Sequence, residues 1–532
     1  MATRARDAVS RGPGETPGAG GADKWIITLT VLTGTIMAVL DTSIVNVALP
    51  SMSGTLGVTV EEITWVVTGY ILSQVIVMPI TGMLSQRFGR KNFYLFSVGL
   101  FTVASMLCGL ATTLPLMVAF RVLQGFGGGV LMTVSQAILR ETFPPEEQGM
   151  AMGLYGLGVV VAPAIGPTLG GWLTDQYSWP WVFYVNVPVG ILNVVLVTRY
   201  IRDPDYLVRE RGRIDWAGLA LLTVALGSLQ LMLEKGASKD WFSSGMITAL
   251  AAVAAVGLIL FVWQELRLQK PAVDLRLLRN PSLASATALG GVLGMGLYGS
   301  LFLLPLFLQN LLGYTAMKSG QALIPRSLAM AVVMPIGGRL YNRLGPKIFV
   351  ASGLVVSAWS FWELSHLSLD VGFWDIFWPQ MWQGVGFGLI FVALSTAALA
   401  TIPRPRMTAA TGLYNVVRQI FGSVGIAVSA TLLGTSTTRY HAVLTEHVTA
   451  ASGPAQRFLR MGTAGMAQSG ADPATARLRA LKLLDLSIFR QAAALAYNHV
   501  FGLVAFLFLL GLPLVLLLKT RRGEVEVEMV VE

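Results

Sequence analysis

Long apolar segments recur along the whole chain, and they constrain the fold more than any other feature of the sequence. A helix needs about 20 apolar residues to cross the hydrocarbon core of a bilayer. By that measure the chain contains about fourteen such segments, most of them joined by short polar loops. Only 12% of its residues are charged, whereas soluble domains carry about 25%. The sequence therefore predicts an all-α integral membrane protein.

Lysine and arginine are concentrated in alternate loops, which predicts the orientation of the chain in the membrane. The opposite loops, near Gly57, Thr113, Tyr177 and Gly372, carry no basic residue. The net charge of +10 is spread over many loops rather than collected on one face, so it does not indicate a nucleic-acid partner. We expect both termini to be cytoplasmic. The basic loops contain Arg90, Arg140, Arg202, Arg276, Arg343 and Arg404.

An internal repeat divides the chain into two halves. GMLSQRFGRK from Gly82 matches GRLYNRLGPK from Gly338, and RVLQGFGGG from Arg121 matches QMWQGVGFG from Gln380. Each offset corresponds to six spans plus an inserted pair, and parallel halves of this kind are suited to alternating access. The predicted parts are a disordered cytoplasmic tail (1–24), a six-helix bundle (25–202), an inserted helix pair (203–270), a second six-helix bundle (271–519) and a cytoplasmic tail (520–532). The second bundle includes an extracytoplasmic segment, 435–495, in which we expect one or two short surface helices.

Asp41 lies late in the first apolar segment, where a carboxylate is costly and is a functional candidate by default. At a rise of about 1.5 Å per residue, Asp41 lies about 24 Å from the inner face, and Arg121 about 10 Å below the outer face. These depths are close in a core of about 30 Å, so we predict that the two side chains meet. An arginine holds a neighbouring carboxylate charged, which would make the pair a proton-coupled switch. The alternatives are a helix cap at Asp41 or a purely structural ion pair.

The fifth segment and the loop after the second segment are candidate conformational elements. In the fifth segment, Gly158, Ala162, Gly166 and Gly170 recur every four residues, and such faces let helices pack closely. Ordinary tight packing is the alternative. Prolines within the segment would add local bends; these are Pro163 and Pro167.

The loop from Gly82 to Lys91 pairs glycines with basic side chains at the inner face. It either latches the two bundles together or anchors the orientation of the chain, and both roles are compatible. Its candidate residues are Gly82, Arg87, Gly89 and Arg90.

Further polar and aromatic side chains within the segments are candidates for binding a substrate. Aromatic residues near the ends of spans are more often part of an interfacial belt, and a solvated end is the preferred interpretation of Glu363 beside His366. The candidate substrate-binding residues are Asp41, Trp65, Tyr70, Gln124, Tyr298, Arg326, Tyr414, Asn415 and Arg418. The single cysteine, Cys108, and the four histidines form no metal-ligand spacing, and the sequence has no nucleophile–base set. We therefore expect no cofactor and no metal site, and we do not expect the protein to be an enzyme.

Several motifs resemble those of the major facilitator superfamily, and in particular its fourteen-span drug:proton antiporters of the EmrB/QacA type. LDTSIVNVALP resembles the acidic motif of the first span, GMLSQRFGRK the loop motif, RVLQGFGGG the arginine motif of span four, and GLGVVVAPAIGPTLGG the antiporter motif of span five. GSLQLMLEKGASKDWFSS resembles the EmrB branch in particular. In one departure, Gln86 occupies a position of the loop motif that is usually acidic, so the arginines would need other partners, such as helix ends or Glu141.

The resemblance implies a major facilitator fold of two six-helix bundles and two inserted helices, in the cytoplasmic (inner) membrane. It implies that Asp41 binds the proton and helps admit substrates, that Arg121 modulates this protonation, and that the span-five stripe sets the direction of exchange. The expected function is proton-coupled export of lipophilic drugs or toxic compounds. The alternative is a transporter of the same fold for an endogenous metabolite, lipid or siderophore. Implied partners are protons, lipophilic small molecules and membrane lipid, together with a membrane-fusion adaptor and an outer-membrane channel as candidates, with segment 435–495 as a docking surface.

Overall fold

The computed structural model describes residues 21–144, 146–204, 215–269, 271–449, 452–468 and 472–518. Within these residues, fourteen helices are long and apolar enough to cross a membrane, which confirms the predicted number. Residues 21–24, which the sequence assigned to the tail, belong to the first helix. The rest of that tail and the predicted tail 520–532 lie outside the described residues.

The first eight spanning helices are α1 (Gly21–Leu56), α2 (Trp65–Phe88), α3 (Arg90–Gly109), α4 (Leu114–Thr142), α5 (Gln148–Gln176), α6 (Asn186–Tyr200), α7 (Trp216–Lys235) and α8 (Gly245–Arg267). The remaining six are α9 (Pro281–Leu306), α10 (Ile324–Leu344), α11 (Pro346–Leu364), α12 (Phe373–Leu399), α13 (Met407–Glu446) and α14 (Pro473–Leu510).

Local sequence signals explain where several of these helices begin. The side chain of Asn280 accepts hydrogen bonds from the backbone N–H groups of the first turn of α9, and Pro281 supplies a backbone already suited to a helix. Asp472 caps α14 in the same way. Hydrogen bonds from the side chain and the backbone N–H of Thr475 lower the pKa of the Asp472 carboxyl below its usual value.

The two halves pack directly against each other through α2 with α13 and α5 with α10. A Cβ added to Gly82 would lie 2.6 Å from the Cα of Ala409. A Cβ added to Gly149 would overlap the carbonyl oxygen of Gly338. A Cβ added to Gly338 would likewise overlap the carbonyl oxygen of Gly149. These contacts lie near the basic loops, at what we call the basic end of the molecule. At this end the halves touch backbone to backbone.

The inserted pair contacts both halves. Helix α7 lies against α2 and α13, and α8 packs on α7. On one side, the Thr68 hydroxyl of α2 donates to Glu234. On the other, Gln230 donates to the Ser423 hydroxyl of α13 over 3.0 Å. The inserted helix α7 therefore bridges the two halves.

The segment 435–495 is more helical than the sequence suggested. Only one short surface helix, Gly453–Gln468, occurs among its described residues, because α13 continues to Glu446 and α14 already begins at Pro473. The fall in apolar content near Gly434 indicates the edge of the membrane. Because no glycine or proline occurs between Gly434 and Glu446, the helix α13 continues past that edge. His441 Nε2 and Asp485 Oδ1, 2.9 Å apart, join the two helical extensions.

Candidate functional site

Asp41 and Arg121 form an ion pair at the centre of the first half. Arg121 Nη1 donates to Asp41 Oδ2, and both side chains have no solvent exposure. The structure thus brings together the two residues for which the sequence predicted a contact. A buried ion pair is maintained only with good geometry and additional hydrogen bonds, because both charges have lost their water.

Two amides supply additional hydrogen bonds to the carboxylate. Gln124 Nε2 and Asn186 Nδ2 donate to Asp41 Oδ1 over 2.8 Å and 3.1 Å. Asp41 is therefore held by donors from α4 and from the first turn of α6. Asn186 Nδ2 also lies 3.1 Å from the hydroxyl of Ser105, which fixes the amide from the side of α3. Asn186 is a site residue that the sequence analysis missed.

The guanidinium of Arg121 is held on several sides. Its Nε donates to the Val66 carbonyl over 3.0 Å, and its Nη1 also donates to Gln124 Oε1 over 2.8 Å. Its carbon Cζ lies 4.2 Å from the centroid of the Tyr70 ring, a cation–π arrangement. Among the described residues, Arg121 Nη2 has no hydrogen-bond partner. Both N–H groups of this nitrogen are therefore unused in this conformation.

Glycines in α4 allow the neighbouring helices to approach closely enough to build this site. A Cβ on Gly125 would overlap the backbone carbonyl of Tyr70, and one on Gly127 would lie 2.7 Å from the carbonyl oxygen of Ser97. The RVLQGFGGG motif therefore presses α4 against α2 and α3. This packing brings the ring of Tyr70 over Arg121, and the Tyr70 hydroxyl donates to the Ala38 carbonyl over 2.8 Å.

The small-residue face of α5 packs on α1, the helix that carries Asp41. A Cβ on Gly158 would lie 3.2 Å from Ile36 Cγ1, and one on Gly170 would lie 2.7 Å from the Ile44 carbonyl oxygen. A Cβ on Gly166 would overlap the hydroxyl of Ser43. The helix runs unbroken through its two internal prolines, Pro163 and Pro167. The glycines therefore allow α1 and α5 to pack closely both before and after Asp41 in the sequence of α1.

The basic loop makes contacts within and between the halves. Arg90 Nη1 lies 2.5 Å from Glu141 Oε2, so Glu141 provides an acidic partner within the first half. Gln86 Nε2 donates to the carbonyl of Pro405 in the second half over 3.1 Å. Gly89 has a φ of 85°, in the region that glycine adopts without strain. Gln86, at the position that is usually acidic, thus makes a neutral contact across the two halves.

The second half contains a buried arginine on α10, the repeat counterpart of α2. Arg326 Nη1 donates to the Ser300 hydroxyl and to Gln383 Oε1 over 3.0 Å and 3.2 Å. Gln383 is the repeat counterpart of Gln124. No carboxylate occurs among the described hydrogen-bond partners of Arg326. The second half therefore buries a cation with neutral partners.

A polar and aromatic cluster lies where the two halves meet. Asn415 Nδ2 on α13 donates to Gln136 Oε1 on α4 over 2.9 Å. The guanidinium Cζ of Arg418 lies 5.1 Å from the centroid of the Phe391 ring, and that ring stacks on Tyr155 of α5. Gln136 and Tyr155 were not singled out from the sequence.

The remaining aromatic candidates are separated along the molecule. Trp65 is 39% exposed at the start of α2, and Lys235 Nζ lies 5.5 Å from its ring centroid. Tyr298 is half-buried and donates to Gln419 Oε1 over 3.1 Å. Tyr414 is fully buried, and its ring centroid lies 5.7 Å from Arg418 Cζ. The predicted substrate-binding residues thus fall into an Asp41 cluster, an Arg418 cluster and isolated positions rather than one contiguous surface.

Comparison with known proteins agrees with this architecture. The family model of the Major Facilitator Superfamily matches residues 31–426. The chain belongs to the major facilitator superfamily. It is 34% identical over 503 residues to the fatty acid resistance protein FarB of Neisseria gonorrhoeae, covering 94% of this chain and 97% of that protein.

A second relative identifies the branch of the superfamily. The chain is 34% identical over 505 residues to the multidrug export protein EmrB of Escherichia coli K12, covering 94% and 97% of the two chains. The human organic anion transporter MFSD10 (TETRAN) shares the fold, with a TM-score of 0.60 at 13% identity over 94% of this chain and 100% of that chain. The predicted family, of the EmrB type, is therefore confirmed. The chain is a multi-pass membrane transporter rather than an enzyme.

Proposed function

We propose that this transporter is a proton-coupled antiporter that exports lipophilic compounds, including drugs, by alternating access. The observation that carries the proposal is the fully buried Asp41 carboxylate, paired with Arg121 and bound by two amides. A carboxylate in a spanning helix is a proton or substrate site by default. The names of two relatives, a multidrug export protein and a fatty acid resistance protein, support lipophilic cargo.

Protonation of Asp41 would convert the ion pair into a neutral acid beside an unbalanced arginine. Because an unpaired buried charge is strongly unfavourable, Arg121 would then seek another acceptor, and its unused Nη2 is available for one. The close contacts of α1 with α5 carry any shift of the Asp41 segment to α5. Helix α5 in turn packs on α10 of the other half, so protonation is mechanically connected to the interface between the halves.

The proton step is tested by ethidium transport in proteoliposomes with an imposed pH gradient. We expect the native protein to move ethidium with the gradient and Asp41→Asn to lose this dependence, because the amide cannot release a proton. Asp175→Asn is the matched control, since Asp175 is exposed near the end of α5. Gradient-driven transport by Asp41→Asn would contradict the proposal, provided that the variant inserts and melts like the native protein.

The backbone contacts at the basic end support a conformation that is closed toward the cytoplasm, with both termini on that side of the inner membrane. Exposed Phe88 in the first half and Arg404 in the second lie near this closed end. Spin labels at Phe88→Cys and Arg404→Cys can be introduced after Cys108→Ser, because Cys108 is the single cysteine of the chain. We expect a short distance and a second, longer distance, whose populations change with pH and ethidium. One distance that responds to neither would contradict alternating access.

An amphipathic anion is a second candidate cargo. Arg326 and Arg418 are buried in the second half, and no carboxylate occurs among their described hydrogen-bond or ion-pair partners. Such cations favour a carboxylate ligand. Transport of a fatty acid that is lost in Arg418→Gln but not in Asn193→Leu would support this cargo, and unchanged transport in Arg418→Gln would argue against it.

The segment 435–495 supports a membrane-fusion adaptor as partner, which would connect the transporter to an outer-membrane channel. Its helices expose large apolar side chains, including Met461 at 70% and Leu478 at 65% exposure. Replacement of both by serine should leave transport in proteoliposomes unchanged but lower the drug resistance of cells that express the full export system. Equal resistance of native and double-variant cells would contradict this docking surface.

A further inference from the structure

A cavity lies away from the Asp41 site, at the end of the molecule opposite the basic loops. It occupies about 530 Å³ between the end of α11 and the start of α12. Its wall contains the indole rings of Trp362, Trp374 and Trp378, which are 49%, 62% and 51% exposed. Interfacial tryptophans are common in membrane proteins, but a belt alone does not explain the charges that accompany these rings.

Three carboxylates line the same cavity, and no lysine or arginine is among its described lining residues. Asp375 accepts a hydrogen bond from the Gly372 backbone N–H over 2.8 Å and so serves as a helix cap. Glu363 Oε1 accepts from Trp359 Nε1 over 3.0 Å. The third carboxylate, Asp370, is exposed. The cavity therefore combines aromatic faces with negative charge.

The second carboxylate oxygen of Glu363 indicates the kind of ligand that suits the cavity. Glu363 Oε2 is shielded from solvent and has no hydrogen-bond partner among the described residues. A charged oxygen in this situation is costly unless a donor reaches it. A cation that brings its own N–H groups would satisfy the oxygen and would also be attracted to the indole faces.

We propose that this cavity binds the primary ammonium group of a small amine or of an ethanolamine-type lipid head group. The ammonium N–H would donate to Glu363 Oε2, and its charge would lie against the faces of Trp374 and Trp378. Asp370 and Asp375 would add to the attraction without a direct contact. This site is separate from the proposed proton and cargo site, and it does not depend on the proposed function.

The binding test uses the full-length protein in nanodiscs of phosphatidylglycerol, with ethanolamine as the probe and propan-1-ol as its neutral isostere. Saturation-transfer NMR titrations give the two dissociation constants. We expect ethanolamine to bind at least about tenfold more tightly than propan-1-ol, since charge-assisted hydrogen bonds are the stronger ones. Equal affinity for the two probes would overturn the proposal.

Two pairs of variants locate the binding. Glu363→Gln should weaken ethanolamine binding about tenfold while keeping an acceptor for Trp359, whereas Glu446→Gln, an exposed acid on another helix, should not. Trp378→Leu should weaken it about threefold to tenfold, whereas Trp382→Leu, one turn further along α12 and outside the cavity, should not. Unchanged affinity in both Glu363→Gln and Trp378→Leu would place the amine elsewhere and refute the site.

Adding phosphatidylethanolamine to the nanodisc distinguishes a lipid head group from a free amine as the natural source of the ammonium group. If phosphatidylethanolamine in the nanodisc raises the apparent dissociation constant of free ethanolamine for the native protein but not for Trp378→Leu, the lipid head group occupies the cavity. If the lipid has no effect while the variant pairs respond as expected, the ligand is a free amine.

Discussion

Asn186→Leu is expected to change the pH dependence of substrate binding. Asn186 donates to Asp41 Oδ1 from the first turn of α6. Leucine has a similar size but no donor, so the charged form of Asp41 loses one of its hydrogen bonds, while the protonated form loses less. The charged form of Asp41 should therefore be less stable in the variant than in the native protein.

The size of this effect follows from the hydrogen bond that is lost. A hydrogen bond to a charged group contributes about 1.5–3 kcal/mol, and one pH unit corresponds to about 1.4 kcal/mol. Gln124 and Arg121 still bind the carboxylate in the variant, so the lower end of that range applies. We expect the pH of half-maximal binding to rise by about one unit.

The assay is ethidium binding to the purified protein, followed by fluorescence anisotropy across the pH range. Asn193→Leu is the matched control, because Asn193 is also buried on α6 but donates to the backbone carbonyl of Thr30 over 2.6 Å. Loss of this hydrogen bond should lower thermal stability without changing the pH of half-maximal ethidium binding. The reasoning is refuted if Asn186→Leu leaves the midpoint unchanged, or if Asn193→Leu shifts it equally.

Two further predictions concern the packing and the ion pairs that support the site. Gly170→Ala should destabilise the protein by about 1–3 kcal/mol and reduce transport, because its Cβ would lie 2.7 Å from the Ile44 carbonyl oxygen. Gly171→Ala, with a nearest contact of 3.8 Å, should be nearly neutral, and equal melting points would contradict this explanation. Glu141→Gln breaks the buried ion pair with Arg90 and should cost about 3 kcal/mol. Glu147→Gln, which breaks a partly exposed pair with Lys24, should cost less than about 1 kcal/mol. Unfolding in detergent measures the loss of stability in each of these two variants. Similar losses in the two would argue against the role of burial.

The sequence predicted the spanning helices and the central ion pair because both depend on simple lengths. Apolar segments long enough for a bilayer gave the number of helices, and the rise per residue placed Asp41 and Arg121 at similar depths. Neither inference required knowledge of which face of a helix points inward. The extensions of α13 and α14 beyond the apolar segments were missed because apolar content marks the membrane, not the end of a helix.

The other site residues depend on the orientation of helix faces, which a single span does not specify. Asn186 resembles any polar residue in an apolar run. Its separation from Asn193 by about two helical turns, however, puts the two on the same face and was an available signal. Gln136 had no such companion, and its contact with Asn415 depends on how the two halves dock. Tyr70 remains a predicted substrate-binding residue, and its contact with Arg121 through the close packing of α4 on α2 is a detail that the sequence does not specify.

The most direct test of the account measures protons rather than cargo. Native protein in proteoliposomes with an internal pH dye should move protons when ethidium is added, in the direction opposite to ethidium, and with no imposed gradient. Asn193→Leu should retain this proton movement and Asp41→Asn should lose it, although both remain folded. Ethidium transport by the native protein without any proton movement would contradict the claim that the Asp41–Arg121 pair couples export to protons.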